Sequence, residues 1–176
     1  ERGYDPINPW DRNANGALDE EGNFVSGWQM RNARYPANIK EEDSETPYMT
    51  SRAIEFIAEA GEQSWCLHLS YIKPHWPYIA PAPYHNLYGA EHVVSAVRNA
   101  AERLNAHPVY DAFMRLRYSQ EFSRDEVRQT VIPVYMGLIK QIDDQIGRLL
   151  AFLQAQGRME DTLIVFTSDH GDYLGD

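Results

Sequence analysis

Leu163-Ile164-Val165-Phe166-Thr167-Ser168-Asp169-His170-Gly171 is the stretch whose reading decides the fold. Five apolar or β-branched residues run without interruption, and the chemistry then turns polar within one step. A short apolar run closed by a turn signal predicts a strand buried on both faces. In open α/β sheets, ligands bind just beyond the carboxyl ends of such strands. Asp169 and His170 therefore stand where a ligand is expected. An adjacent carboxylate and imidazole can reach one metal ion if the chain turns there, and Gly171 allows that turn.

Working outward, the same grammar occurs once more. Ser64 to Ile72 reads as a strand, with Trp65, Leu67, Leu69 and Tyr71 on one face and Cys66, His68 and Ser70 on the other. It runs directly into Lys73-Pro74-His75-Trp76-Pro77-Tyr78. Two prolines among large aromatics make a stiff exit loop able to hold His75 in one orientation. Alternation makes His68 a hydrogen-bonded wall residue rather than a ligand. Cys66 reads as a small buried hydrophobe.

Two helices flank these strands. Thr46-Pro47 is a start signal and Gly61 a stop; between them Ala53, Ile54, Ile57 and Ala58 share a face. The strongest helical pattern spans Arg124 to Gln156. Val131, Val134, Tyr135, Leu138, Ile139, Ile142, Ile146, Leu149, Leu150 and Leu153 recur there at threes and fours. Ser123 and Glu126 have capping-box spacing, and Pro133 marks a kink or the start of the core-facing part. Asp143 and Asp144 point about 100° apart on a helix, which suits a solvated face with a salt bridge better than a paired-carboxylate site. Residues 79–124 carry Pro81, Pro83 and Pro108 and read as a helical insertion over the sheet, a lid or substrate wall. His85, His92 and His107 are scattered through it without ligand spacing. Residues 1–46 are turn-rich, with a short strand at Phe24–Trp28; Asp11 to Gly16 reads as a turn rather than a calcium loop. Helix, strand, insertion, helix, strand is α/β order and predicts a parallel pair.

Composition narrows the function. The 176 residues suffice for a real core, and 43% hydrophobic content excludes a disordered chain. A net charge of −10 argues against nucleic acid or an anionic membrane surface as partner. No apolar run is long enough to span a membrane. The single cysteine excludes an internal disulfide and suits a reducing, cytoplasmic setting. The chain opens without methionine and closes inside the Asp169–His170 loop, so the expectation is an interior piece of a larger protein.

With both strand exits in view, the chain resembles the sulfatase family of the alkaline phosphatase superfamily, in particular its phosphonate monoester hydrolase and arylsulfatase group. Cys66 to Tyr78 and Thr162 to Asp176 carry the resemblance, and Tyr135 to Arg148 is similar to the family helix before the second strand. The resemblance implies a portion of a three-layer α/β/α alkaline-phosphatase-like fold. In it, 1–176 form a single partial catalytic domain, and the N-terminal nucleophile region and C-terminal remainder lie outside this chain. It implies Asp169 and His170 as metal ligands. The divalent metal would be calcium or manganese, with zinc less favoured. It implies His75 as the active-site histidine that contacts the transferred group or the leaving oxygen, donating to developing negative charge. Lys73 matches no assigned role; it is either a substrate-anion contact or, preferably, a solvated lysine at the site rim.

Departures from the family pattern limit these implications. The family nucleophile is a formylglycine made from Cys or Ser in C/S-x-P-x-R. Cys66-Leu67-His68-Leu69 is not that motif, so formylglycine is expected in the parent protein and not in this chain. The implied activity is metal-dependent hydrolysis of sulfate or phosphonate/phosphate esters, on a small anionic ester substrate, with this chain inactive alone. Homo-oligomer formation is left open. The alternatives are a phosphodiesterase or phosphomutase relative with a Ser or Thr nucleophile, and a non-catalytic binding module on the same scaffold.

Overall fold

The computed structural model describes residues 9–176, with side chains described from Arg12 onward. The first of the turn signals read in 1–46 thus lie outside the described residues. A short helix α1 (Pro9–Ala14) leads into a two-stranded antiparallel hairpin, β1 (Gly16–Leu18) and β2 (Phe24–Ser26). Residues 11–14, read as a turn, belong to α1. The hairpin loop is held by Asp19, whose carboxylate accepts the backbone N–H groups of Glu21 and Asn23 at 3.1 and 2.7 Å. Helix α2 (Glu45–Ala60) follows, then chain without helix or strand to Ile72. Beyond it come α3 (Pro108–Met114), α4 (Arg117–Glu121) and the 31-residue α5 (Asp125–Ala155).

The core is built on α5. Val127, Val131, Val134 and Leu138 recur at threes and fours and bury against Met30, Ala33, Tyr78, Ala80 and Phe122. Ile79 turns the other way, onto Ala17 and Ala37. Each fully buried aliphatic side chain contributes about 1.5–3 kcal/mol. The second half of α5 departs from the apolar stripe. Its most buried positions there include Gln141 and Gln145, while Ile139 is 46% exposed. The reason is polar: Gln141 Nε2 donates to Ser44 Oγ at 2.9 Å, and Gln145 Nε2 to Glu41 Oε1 at 3.3 Å. The turn before α2 thus meets α5 through hydrogen bonds that hydrophobic periodicity does not register.

Several expectations are revised. Ser44, not Thr46, occupies the N-cap of α2, and Arg124, not Ser123, that of α5; neither side chain caps its helix. Ser123 Oγ donates instead to Gln120 O. Within the stretch read as a helical insertion, residues 90–104 form only short 3-10 turns at Ala90–His92 and Ala100–Arg103. Asp143 and Asp144 do take the surface role read from the sequence, both pairing with Lys140.

The largest revision concerns the two strands. Residues 64–72 and 163–167 form no regular element and join no ladder, and the sheet among the described residues is the β1–β2 hairpin. In 64–72 the expected alternation holds: Trp65, Leu67, Leu69 and Tyr71 are half-buried, and Cys66, His68 and Ser70 exposed. Cys66 is accordingly not a buried hydrophobe. Tyr71 fastens this segment to α2 by an OH···Thr50 Oγ1 hydrogen bond of 2.7 Å. In 163–167 burial fails altogether, with Leu163 90% and Phe166 81% exposed. A strand buries both faces only between packed layers, and no described element covers these.

Gly137 sits where α5 meets the turn at Tyr84–Asn86, and a β-carbon there would collide with the Tyr84 carbonyl. Gly137→Ala therefore lowers stability by roughly 1–3 kcal/mol through overpacking. The helix-propensity gain of about 0.5–1 kcal/mol does not offset this. The urea midpoint measures the effect; an unchanged or higher midpoint would show that the helix and turn do not pack this closely.

Candidate functional site

The loop after residue 72 is closed by its own groups. The His75 N–H donates to Ile72 O at 3.1 Å, and the Lys73 ammonium to Pro77 O at 2.8 Å. Peptide bonds 73–74 and 76–77 are cis. Trp76 meets Trp28 edge-on at 4.7 Å and stacks on Tyr118 at 6.3 Å, so the loop leans on both the N-terminal region and α4. Between these anchors His75 stays exposed. Its Nδ1 lies 2.7 Å from Trp76 O. A carbonyl only accepts, so Nδ1 carries the proton and Nε2 holds the lone pair in the neutral ring.

His170 repeats this arrangement. Its Nδ1 donates to Gly171 O at 3.0 Å, which again leaves the lone pair of the neutral ring on Nε2. That contact, with the Asp169 and Asp172 carboxylates, raises the His170 pKa. Asp169 Oδ1 accepts the His170 N–H at 2.9 Å, and Oδ2 lies 3.8 Å from His170 Nε2. The His75 and His170 rings meet edge to face, 6.0 Å between centroids. Two exit loops 95 positions apart in sequence therefore bring two imidazole rings and a carboxylate into one neighbourhood.

The donor set suits a divalent cation as one oxygen and one nitrogen ligand, each oriented by a second hydrogen bond. Asp169 and His170 fit as two members of a coordination sphere. Among the described residues, no group of three or more His, Cys, Asp and Glu side chains is placed to hold a metal. The other histidines lie apart in role: His68 is exposed, and His107 Nδ1 accepts the Val109 N–H at the start of α3.

Lys73 is not the solvated rim lysine preferred from the sequence. It is half-buried, spends one N–H on Pro77 O, and burial pushes its pKa down to about 8 against the opposing pull of Glu45. Glu45, at the start of α2, is raised by its own burial and lowered by Lys73. Sequence reading missed this partner because Glu45 lies 28 positions away and looks like an ordinary first-turn acid. It also missed Asp172, whose carboxylate adds to burial in raising the Tyr78 pKa. The second carboxylate of Asp169-x-x-Asp172 was the available signal.

A lysine whose folded pKa lies below its unfolded value costs stability while protonated, and that cost is relieved as pH rises from about 8 towards 10.5. Stability therefore contains a rising component over this window that Lys73→Met removes. Urea midpoints of the two proteins at pH 7 and pH 10 measure it. Parallel pH profiles would show that Lys73 is not desolvated.

The sulfatase family model matches residues 2–176. The chain is 36% identical over 154 residues to the multifunctional alkaline phosphatase superfamily protein PehA of Trinickia caryophylli, covering 80% of this chain and 30% of that protein. It is 28% identical over 148 residues to choline-sulfatase of Rhizobium meliloti, covering 79% and 28%. The phosphonate monoester hydrolase of Silicibacter pomeroyi superposes with a TM-score of 0.79 at 31% identity, over 97% of this chain and 34% of that one. The chain thus spans about a third of the length of the relatives it matches, and its segments occupy an α/β alkaline-phosphatase-like frame. Family model, sequence identity and superposition agree that the chain belongs to the sulfatase family.

Proposed function

We propose that the protein carrying this chain hydrolyses sulfate or phosphonate esters with a divalent metal, and that Asp169, His170 and His75 are its contribution to the active site. The supporting observation is the approach of His75 to His170, 6.0 Å between ring centroids, with both Nδ1 atoms committed to carbonyls. Relatives named as a choline-sulfatase, an arylsulfatase and a phosphonate monoester hydrolase support the substrate class. All three names denote enzymes of anionic tetrahedral esters. On this reading 1–176 are part of one catalytic domain in which 79–124 form an insertion.

Asp169 and His170 are the metal ligands, with calcium or manganese the fitting ions. A bound divalent ion supplies charge neutralisation to an anionic ester and its nucleophile. A chain of net charge −10 needs such a local cation to attract an anion. As the imidazolium, protonated on both nitrogens, His75 donates through Nε2 to the oxygen on which negative charge develops, and its stiff loop holds the ring in place before substrate arrives. Lys73 assists indirectly by closing the His75 loop, with direct substrate contact as the alternative role. The nucleophile on this reading is the family formylglycine, supplied from outside this chain.

Three outcomes are expected. In the complete protein, His75→Ala lowers kcat on an aryl sulfate or a phosphonate monoester by about 10²–10⁴-fold. Asp169→Asn weakens Mn²⁺ binding by at least roughly tenfold. Wild-type kcat in His75→Ala would remove His75 from the mechanism. The isolated 176-residue chain turns over no aryl sulfate, and measurable turnover by it would contradict the division of the active site proposed here.

A further inference from the structure

The segment that carries Asp169 and His170 continues into a tight turn at Tyr173–Asp176. Leu174 sits there at φ 50° and Gly175 at φ 98°, both in the left-handed region. That is a strained place for a leucine. Two arginines grip this turn from different elements. Arg128, in the first turn of α5, is buried to 4% exposure. Its Nε donates to Leu174 O at 3.1 Å, and its Nη2 lies 3.3 Å from both Val94 O and Asp176 Oδ1. Arg98, from residues 79–124, donates through Nε to Gly175 O at 2.6 Å. Its other nitrogens reach Phe122 O at 2.7 Å, Ser123 O at 3.0 Å and Asp125 Oδ1 at 3.3 Å.

Space at the turn is filled as well. A β-carbon on Gly175 would lie 2.7 Å from Phe122 O, 2.9 Å from Arg128 Cδ and 2.9 Å from Arg98 Nη2. Leu174 packs on the α5 core cluster, and the Val97 N–H donates to Asp176 Oδ1 at 3.2 Å. Upstream the contrast is sharp: 163–171 are exposed and join no ladder. A carbonyl acceptor fixes a backbone more firmly when its donor is charged and buried. A planar fork serves several such acceptors at once, which an ammonium does not.

We infer that Arg98 and Arg128 are positioning residues that order the loop bearing Asp169 and His170, coupling it to α5 and to the 79–124 insertion. Both guanidiniums bond to backbone carbonyls and to the carboxylates of Asp125 and Asp176, partners that repel a substrate anion rather than share a cation with it. Their effect reaches the site through the backbone of 172–176. The inference rests on the metal reading only for what the ordered loop carries.

The test compares Arg128→Met, Arg128→Lys and Arg98→Met with the unmodified complete protein. Amide hydrogen exchange is followed at 168–176 and at 134–150 of α5, together with Mn²⁺ affinity. Exchange at 168–176 is expected to rise roughly tenfold or more, with 134–150 unchanged. Mn²⁺ affinity is expected to fall about tenfold. Arg128→Lys, which keeps charge but not the fork, is expected to follow Arg128→Met. If Arg128→Met does not fold, Arg98→Met carries the comparison, because its side chain is one-third exposed. Unchanged loop exchange, an equal rise throughout α5, or a loosened loop with unchanged Mn²⁺ affinity would each overturn the inference. If the unmodified protein binds no Mn²⁺, the metal reading fails, and the exchange contrast still decides this one.

Discussion

Burial of Tyr78-Ile79-Ala80 is the constraint on which the rest of the structure depends. Successive side chains of an extended chain point to opposite sides. Tyr78 and Ala80 therefore enter the α5 core, while Ile79 enters the cluster with Ala17 and Ala37. The backbone joins in, since the Ala37 N–H donates to Ala80 O at 2.9 Å. Three residues thus stitch the N-terminal hairpin to the long helix. They begin one position after Pro77, whose carbonyl receives Lys73, so the His75 loop runs directly into this buried segment. Rigid packing behind an exposed imidazole is what a preorganised donor requires.

The site also needs its other loop held, and the structure does this differently. Tyr173–Asp176 is gripped by charged hydrogen bonds, with Leu174 alone among these residues packed on the α5 core, while Asp172 reaches back to Tyr78. Tyr78 therefore contributes to both arms. Its ring packs on Phe122 and Tyr135, and its hydroxyl feels the charge of Asp172, two residues beyond His170.

What the sequence made legible was local. Apolar periodicity located α5 and α2 within a residue or two, and strand grammar placed both exit loops and the alternating faces of 64–72. His75, Asp169 and His170 stood out because polar residues follow apolar runs abruptly. What stayed hidden was contact between distant polar groups. Gln141 with Ser44, Lys73 with Glu45 and Arg98 with Gly175 leave no periodic trace, because each joins residues 28 to 97 positions apart. The apolar run 163–167 misled on burial for a related reason. A strand pattern states which faces seek cover, while cover itself depends on neighbouring layers.

The central claim is that Asp169 and His170 hold a divalent ion beside His75. The most direct measurement is paramagnetic broadening of the histidine imidazole resonances as Mn²⁺ is added to the complete protein. The account predicts that the His170 and His75 signals broaden together at stoichiometric Mn²⁺, and that Asp169→Asn abolishes the effect. Sharp His75 and His170 signals at saturating Mn²⁺ would contradict it.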